Sequence, residues 1–202
     1  LRRPRAALDG TLVAMANGRF APSPSGPLHL GNLRTAMLAW LFARSSNGRF
    51  AMRMEDLTTG AAPVAEAEQL GDLAEIGLTW DGPITRQSEH AERYRSALMQ
   101  LEDEGRTYPC FCSRREIREA AAAPHGEVGL GAYPGSCRTL GSVERERRAE
   151  SRPPALRLDA GAAEVQVTDA LKGPLTSTVD DFVLRRGDGV AAYNLAVVVD
   201  DA

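Results

Sequence analysis

Apolar positions in the first hundred residues recur with two different periods. Leu33, Met37, Trp40 and Leu41 stand at helical spacing within "NLRTAMLAWLFAR", residues 32–44, which predicts a helix with one apolar face. "RFAP" at 19–22 predicts a short strand ending at a proline, and "RFAMRME" at 49–55 alternates as a second strand. "SSNG" at 45–48 stops the helix between them, with Gly48 expected as its left-handed cap. A second helix is predicted over 63–76, with Pro63 in its first turn. A third follows in "QSEHAERYRSALMQLEDEG", residues 87–105, with Tyr94, Leu98 and Leu101 on one face. Strand–helix–strand–helix order predicts an α/β fold with a parallel sheet.

The pattern changes at about residue 106. Residues 106–140 are rich in Gly, Pro, Cys and Arg, and "VERERRAESRPP" is a charged stretch closed by Pro153 and Pro154. "ALRLD", "AEVQVTD" and "FVLRR", within 155–186, predict short strands. "YNLAVVVDDA", residues 193–202, reads as a buried strand ending in two aspartates. The expected organisation is an α/β part over 1–105, an insertion over 106–189, and the start of a second α/β part over 190–202. No internal repeat or low-complexity segment interrupts it.

Composition narrows the class. The chain has 202 residues, 43% apolar and 25% charged, as expected of a soluble globular protein with a sizeable core. No run approaches the ~18 apolar residues of a membrane span, and the basic start has no apolar segment of the secretory kind. The net charge of −3 rules out a global attraction to nucleic acid but not a local basic patch. Lys172 is the sole lysine; every other basic side chain besides the histidines is arginine. Three cysteines, two of them one residue apart, point to metal or free thiols in a reducing compartment rather than to disulfides. A cytoplasmic monomer without membrane contact is the expectation.

Two constellations carry chemistry. In "RFAPSPSGPLHLGNL", residues 19–33, Pro24, Gly26 and Pro27 exclude regular structure directly before a helix start. Parallel sheets bind ligands at the carboxyl ends of their strands, and a helix start offers N–H groups to phosphate. Gly26 and Gly31 let backbone approach a ligand, His29 can donate to a phosphate oxygen, and Asn32 can do the same or cap the helix. A proline–glycine turn with an incidental histidine fits the same residues. Arg19, near the end of the first strand, offers a planar fork for a carboxylate, or a surface ion pair. The second constellation is Cys110, Cys112 and Cys137, three thiols of the four ligands that zinc wants. The fourth is Tyr133 or His125, and general ligand preference favours His125. Such a site would tie down an insertion too rich in Gly and Pro to bury a core. Asp200 and Asp201 fit a structural or turn role better than a magnesium site, because nothing near them in sequence completes one.

"RFAPSPSGPLHLGNLRTAML", "MRMED", "QSEHAERYRSALMQLEDEGRTYPCFC" and "DDFVLRRGDGVAAYNLAVVVDDA" occur in this order, and together they resemble the class I glutamyl-tRNA synthetases over about residues 18–202. "PSPSGPLHLGNL", "AYPGSCR" and "AYNLAVVVDDA" resemble most the shorter branch of that family, the glutamyl-queuosine tRNA(Asp) synthetases. The resemblance implies a Rossmann-like class I catalytic domain with a zinc-containing, acceptor-binding insertion. It implies activation of glutamate with ATP and magnesium, then transfer of the glutamyl group to queuosine in tRNA(Asp). By the same carry-over His29 and Asn32 are catalytic, and both bind ATP together with Gly31, which leaves room for adenine or ribose. Arg19, Phe20, Ala21, Pro22, Ser23, Glu55 and Tyr193 would form the glutamate site, with Glu55 on the ammonium. Cys110, Cys112, Tyr133 and Cys137 would hold a structural zinc.

The chain departs from the family at three places. The lysine–serine–lysine loop that grips the phosphates is missing, as is an arginine for the glutamate carboxylate beyond the paired aspartates. The 202 residues are therefore expected to be part of a longer protein, unable by themselves to complete efficient activation. "LTTGAAP" after "MED" is short and uncharged where the family carries another aspartate. Three alternatives stand beside this reading: a catalytic fragment charging tRNA(Glu), a zinc-stabilised RNA-binding module without catalysis, and another adenylate-forming nucleotidyl transferase.

Overall fold

Gly18 decides where the first helix can lie. A Cβ there would stand 3.0 Å from the Ala39 carbonyl oxygen and 3.1 Å from the Ala43 methyl. The computed structural model, which describes residues 17–57, 60–113, 115–117, 133–169 and 171–202, thus sets helix α1 (Leu30–Ser45) directly on strand β1 (Gly18–Phe20). Strand β2 (Phe50–Met54) lies beside β1, Phe20 opposite Met52, and β3 (Thr85–Arg86) follows on the far side of β2, all parallel. Phe20, Ala36, Ala43, Phe50, Met52, Met54, Leu73 and Leu78 form the core.

Three polar contacts fix the far end of α1. Arg44 pairs with Asp81 at 2.6 Å, Asp81 accepts the Phe50 N–H at 2.8 Å, and the Trp40 indole donates to the Thr79 carbonyl at 2.9 Å. The left-handed residue after α1 is Asn47, with φ 56°, and not Gly48 as the sequence suggested. Asparagine tolerates that conformation, so glycine was not needed there. Helix α2 (Pro63–Glu75) starts at its proline and buries Ala65, Gln69 and Leu73, one face at a spacing of four.

The chain divides into two compact units between Glu89 and His90. The second begins with helix α3 (Ala91–Asp103), which buries Tyr94 and Leu98. Strand β4 (Thr107–Cys110) follows; helix α4 (Ser142–Ser151) and strand β5 (Ala155–Leu158) come next. Strands β6 (Glu164–Asp169) and β7 (Gly173–Thr178) make a separate antiparallel ribbon. Strand β8 (Val183–Arg185) completes an antiparallel sheet in the order β4–β5–β8. Helix α4 occupies the charged stretch; Glu144 accepts from Arg147 and Arg148, pairs that support a helix without an apolar face.

The last element is helix α5 (Tyr193–Asp201), not a buried strand. A short apolar run carries no period that tells a buried strand from a helix. Here Leu195 and Ala196 are buried while Tyr193 and Val198 are exposed, the one-sided burial of a helix lying against β8 and α3. Tyr94 donates to Asp200 at 2.8 Å and His90 is hydrogen-bonded to the same carboxylate, so Asp200 fastens α5 to α3.

Asp181 is the polar hub of the second unit. It is 3% exposed and accepts from the Tyr108 hydroxyl at 2.5 Å, the Ala160 N–H at 3.0 Å and Arg138 Nε at 3.0 Å. Burial by itself raises its carboxyl, but the bonds from Tyr108, Arg138 and Ala160 outweigh burial and hold it below the ordinary carboxylate range. Its contribution to stability is complete above the unfolded value, near pH 3.9, and is lost as pH falls through the lower folded value. Asp181→Asn should lower stability at pH 7 by about 2–3 kcal/mol, allowing for the partial exposure of Arg138. Urea unfolding at pH 7 and pH 3 checks this: the gap between the two proteins should narrow at pH 3, and an unchanged gap would contradict the role given to Asp181.

Candidate functional site

The carboxyl ends of β1 and β2 carry the loop that precedes α1. The Glu55 N–H donates to the Pro22 carbonyl and the Ala62 N–H to the Pro24 carbonyl, both at 2.9 Å. Gln69 reaches out of α2 and donates to the carbonyls of Ser23 at 3.0 Å and Gly26 at 2.6 Å. The proline-broken segment is therefore held without secondary structure of its own, its carbonyls satisfied from neighbouring elements.

His29 is the N-cap of α1. Its Nδ1 accepts the Gly31 N–H at 3.0 Å and the Asn32 N–H at 3.4 Å, while the Asn32 side-chain oxygen accepts the His29 N–H at 3.1 Å. This is a reciprocal capping box made by histidine and asparagine. Its chemical consequence is a tautomer: Nδ1 is an acceptor, so the ring proton sits on Nε2. The imidazole is exposed, and Nε2–H is its donor toward a ligand. Two of the N–H groups that a bare helix start would offer to phosphate are committed to His29. The donors presented instead are Nε2–H of His29 and the amide nitrogen of Asn32. A Cβ on Gly31 would lie 2.9 Å from His29 Cε1, so the imidazole in its capping position requires glycine there.

The other expected site residues of the first unit gather on the same strand ends. Arg19 stands in β1 opposite Ala51 and is partly buried; Phe20 is in the core, and Ala21, Pro22 and Ser23 follow the strand. Glu55, just past β2, is 8% exposed and lies 3.5 Å from Arg53. The next carboxylate, Asp56, accepts from the Ser88 N–H at 2.8 Å and from its hydroxyl. Tyr193 belongs to the second unit, where it opens α5 with its ring exposed.

In the second unit Cys110, Cys112 and Cys137 bring their sulfurs within 4.8 Å of one another. The Tyr133 hydroxyl joins them, 3.4 Å from Cys110 and 3.5 Å from Cys112, and it accepts the Cys137 N–H at 2.9 Å. His125 lies outside the described residues. Burial, with the neighbouring thiols, pushes Cys112 up to about 11. Burial also raises Cys137, but bonds from Tyr133 and the Phe111 N–H outweigh it and hold that thiol low. The Tyr133 phenol is driven far above its ordinary value by burial and by the thiols. Three thiols and a phenol sharing protons in a buried space are a donor set that can hold a soft metal ion.

Sequence reasoning missed Gln69, Asp56 and Ser88. Gln69 had a signal, a polar residue on the apolar face of α2; Asp56 and Ser88 had none, because their pairing joins segments 32 residues apart.

Residues 15–202 match the family described as tRNA synthetases class I (E and Q), catalytic domain. The "Glutamyl-Q tRNA(Asp) synthetase" of Nocardia farcinica is 59% identical over 186 residues, 92% of this chain and 59% of that protein. The protein of the same name from Cutibacterium acnes is 51% identical over 189 residues, 92% of this chain and 53% of its own length. The chain thus spans little more than half the length of these relatives. Among solved structures, a glutamate tRNA ligase from Elizabethkingia meningosepticum in complex with its amino acid superposes with a TM-score of 0.72. It is 30% identical, the match covering 93% of this chain and 41% of that one. The glutamate–tRNA synthetase of Elizabethkingia anophelis gives 0.73 and 31%, over 92% and 42%.

The capping role can be separated from any chemistry. His29→Ala should lower thermal stability by about 1 kcal/mol, and His29→Asn, a good N-cap, should recover most of the loss. Equal melting of all three proteins would show that the imidazole does not cap α1.

Proposed function

The chain belongs to the tRNA synthetases class I (E and Q), catalytic-domain family, and from that premise we propose that it forms the ATP- and glutamate-binding part of an enzyme that glutamylates queuosine in tRNA(Asp). The observation that carries this reading is the identity to relatives of that name, joined to a capped helix start with two outward donors at the strand ends.

In the first step a carboxylate oxygen of glutamate attacks the α-phosphorus of ATP. The bond to pyrophosphate breaks and a glutamyl-adenylate remains. Negative charge grows on the α-phosphate oxygens, and catalysis consists of positioning and of donors aimed at that charge. His29 supplies Nε2–H and Asn32 its amide, both already oriented by the cap. Gly31 keeps the imidazole in place and leaves space above the helix start. Arg19 orients the glutamate carboxylate group as a planar fork. Glu55 takes the ammonium, its backbone fixed to Pro22; Phe20, Ala21, Pro22 and Ser23 line the strand end, and Tyr193, by family resemblance, is assigned to the same amino acid. Magnesium accompanies ATP as part of the substrate.

We assign the thiol cluster to zinc, with Tyr133 as the fourth ligand. Zinc takes four ligands and accepts thiolates, so the three cysteines and the phenol would complete its set. The separations of 3.4 Å for Cys112–Cys137 and 3.4–3.5 Å for Tyr133 to Cys110 and Cys112, with all three sulfurs within 4.8 Å of one another, bring four donor atoms within reach of one ion. Bound there, zinc would supply a structural cross-link between the Cys110–Cys112 strand end and the turn that carries Cys137. The cytoplasm suits three unpaired cysteines. Among the described residues no helix is long and apolar enough to cross a membrane.

The acceptor is tested by incubating the full-length protein with radiolabelled glutamate, ATP and tRNA(Asp), with and without queuosine. Label should enter only the queuosine-containing tRNA; label confined to tRNA(Glu), or indifferent to queuosine, would move the reading to an ordinary glutamyl-tRNA synthetase. His29→Asn in the same protein should reduce ATP–pyrophosphate exchange about 100-fold or more although the helix cap is kept. Undiminished exchange would remove His29 from the chemistry.

A further inference from the structure

Arg157 lies in β5, opposite Tyr108 of β4, and only 6% of it is exposed. Its Cζ stands 3.7 Å from the centroid of the Tyr133 ring, a close stack of guanidinium on aromatic face. Nη1 donates to the Asp181 carbonyl at 2.5 Å, while Nε is buried without a hydrogen-bond partner. Among the described residues no carboxylate side chain pairs with this guanidinium. A buried cation in that position is costly unless an opposite charge lies close by. The hydroxyl of that ring touches the thiol cluster, and with zinc bound three thiolates would outweigh the charge of the divalent ion.

We propose that Arg157 is a positioning residue for the metal site: stacked on Tyr133 and anchored to the Asp181 carbonyl, it holds the phenol oxygen against Cys110 and Cys112. The inference rests on the zinc assignment above and names the residue that orients its least usual ligand. Metal ligands are commonly held by such an outer partner, whose loss weakens metal affinity 10- to 100-fold. Lysine cannot replace it, because an ammonium keeps the charge but not the planar stack.

The test is zinc affinity of the full-length protein, read by competition with a chromophoric chelator, together with the visible spectrum after cobalt substitution. Arg157→Met should weaken zinc binding about 10- to 100-fold and alter the cobalt bands, and Arg157→Lys should lose affinity to a smaller degree. In a Tyr133→Phe background Arg157→Met should change affinity by no more than about threefold, because the group through which it acts is gone. Equal losses in both backgrounds would mean that Arg157 merely supports the local fold, and would overturn the proposal. If Arg157→Met fails to fold, Arg157→Lys decides: wild-type affinity with an unchanged cobalt spectrum overturns it. Wild-type protein that takes up no zinc defeats the zinc assignment itself, whereas tight uptake indifferent to residue 157 defeats only the role of Arg157.

Discussion

The reciprocal cap between His29 and Asn32 is the constraint on which the first unit depends. One imidazole nitrogen takes two backbone N–H groups, and one carboxamide oxygen takes a third. The cap settles the start of α1, the tautomer of the ring and the direction of its remaining donor together. The rest of the unit keeps that corner in place. Gly18 lets α1 rest against β1; Asp81 ties the far end of the helix to β2 through Arg44 and Phe50. Gln69 holds the proline-broken loop by its carbonyls. A loop without its own ladder is thus held in place because side chains and backbone from the scaffold satisfy its carbonyls.

The second unit meets a different problem by related means. Its described residues pack a small core of Tyr108, Cys110, Phe111, Tyr133 and Cys137, and buried polar groups adjoin that core. Asp181 gathers Tyr108, Arg138 and the Ala160 amide, and its own carbonyl receives Arg157. Arg157 in turn covers the Tyr133 ring beside the thiols. These groups form one chain of contacts from the β4–β5–β8 sheet to the cysteines. Removing any member leaves a buried donor, acceptor or charge unmatched, so the network is specific as well as stabilising.

Much of the fold was legible because its elements obey strong local rules. Pro63 marks the first turn of α2, and Tyr94 and Leu98 mark the buried face of α3. The alternation in 49–55 marks β2. Where two local rules compete, the sequence is ambiguous. The run Ala196–Val199 has strand-forming residues, yet it is a helix because β8 and α3 offer it one side to bury. The end of α1 rests on Asn47 although glycine follows it, since both residues accept the turn. The two-residue strand β3 has no periodic signal at all; it exists because β2 has a free edge at its carboxyl end.

By itself, the sequence determined the type and order of most elements, the turn-rich loop before α1, and which residues are candidates for chemistry. Those are matters of side-chain type and short-range spacing. Tertiary structure alone decided which nitrogen of His29 holds its proton, that Gln69 supports the loop, and that Arg157 lies on Tyr133. Each depends on a distance between segments far apart in the chain, and no local pattern encodes such a distance until the strands are paired and the helices packed.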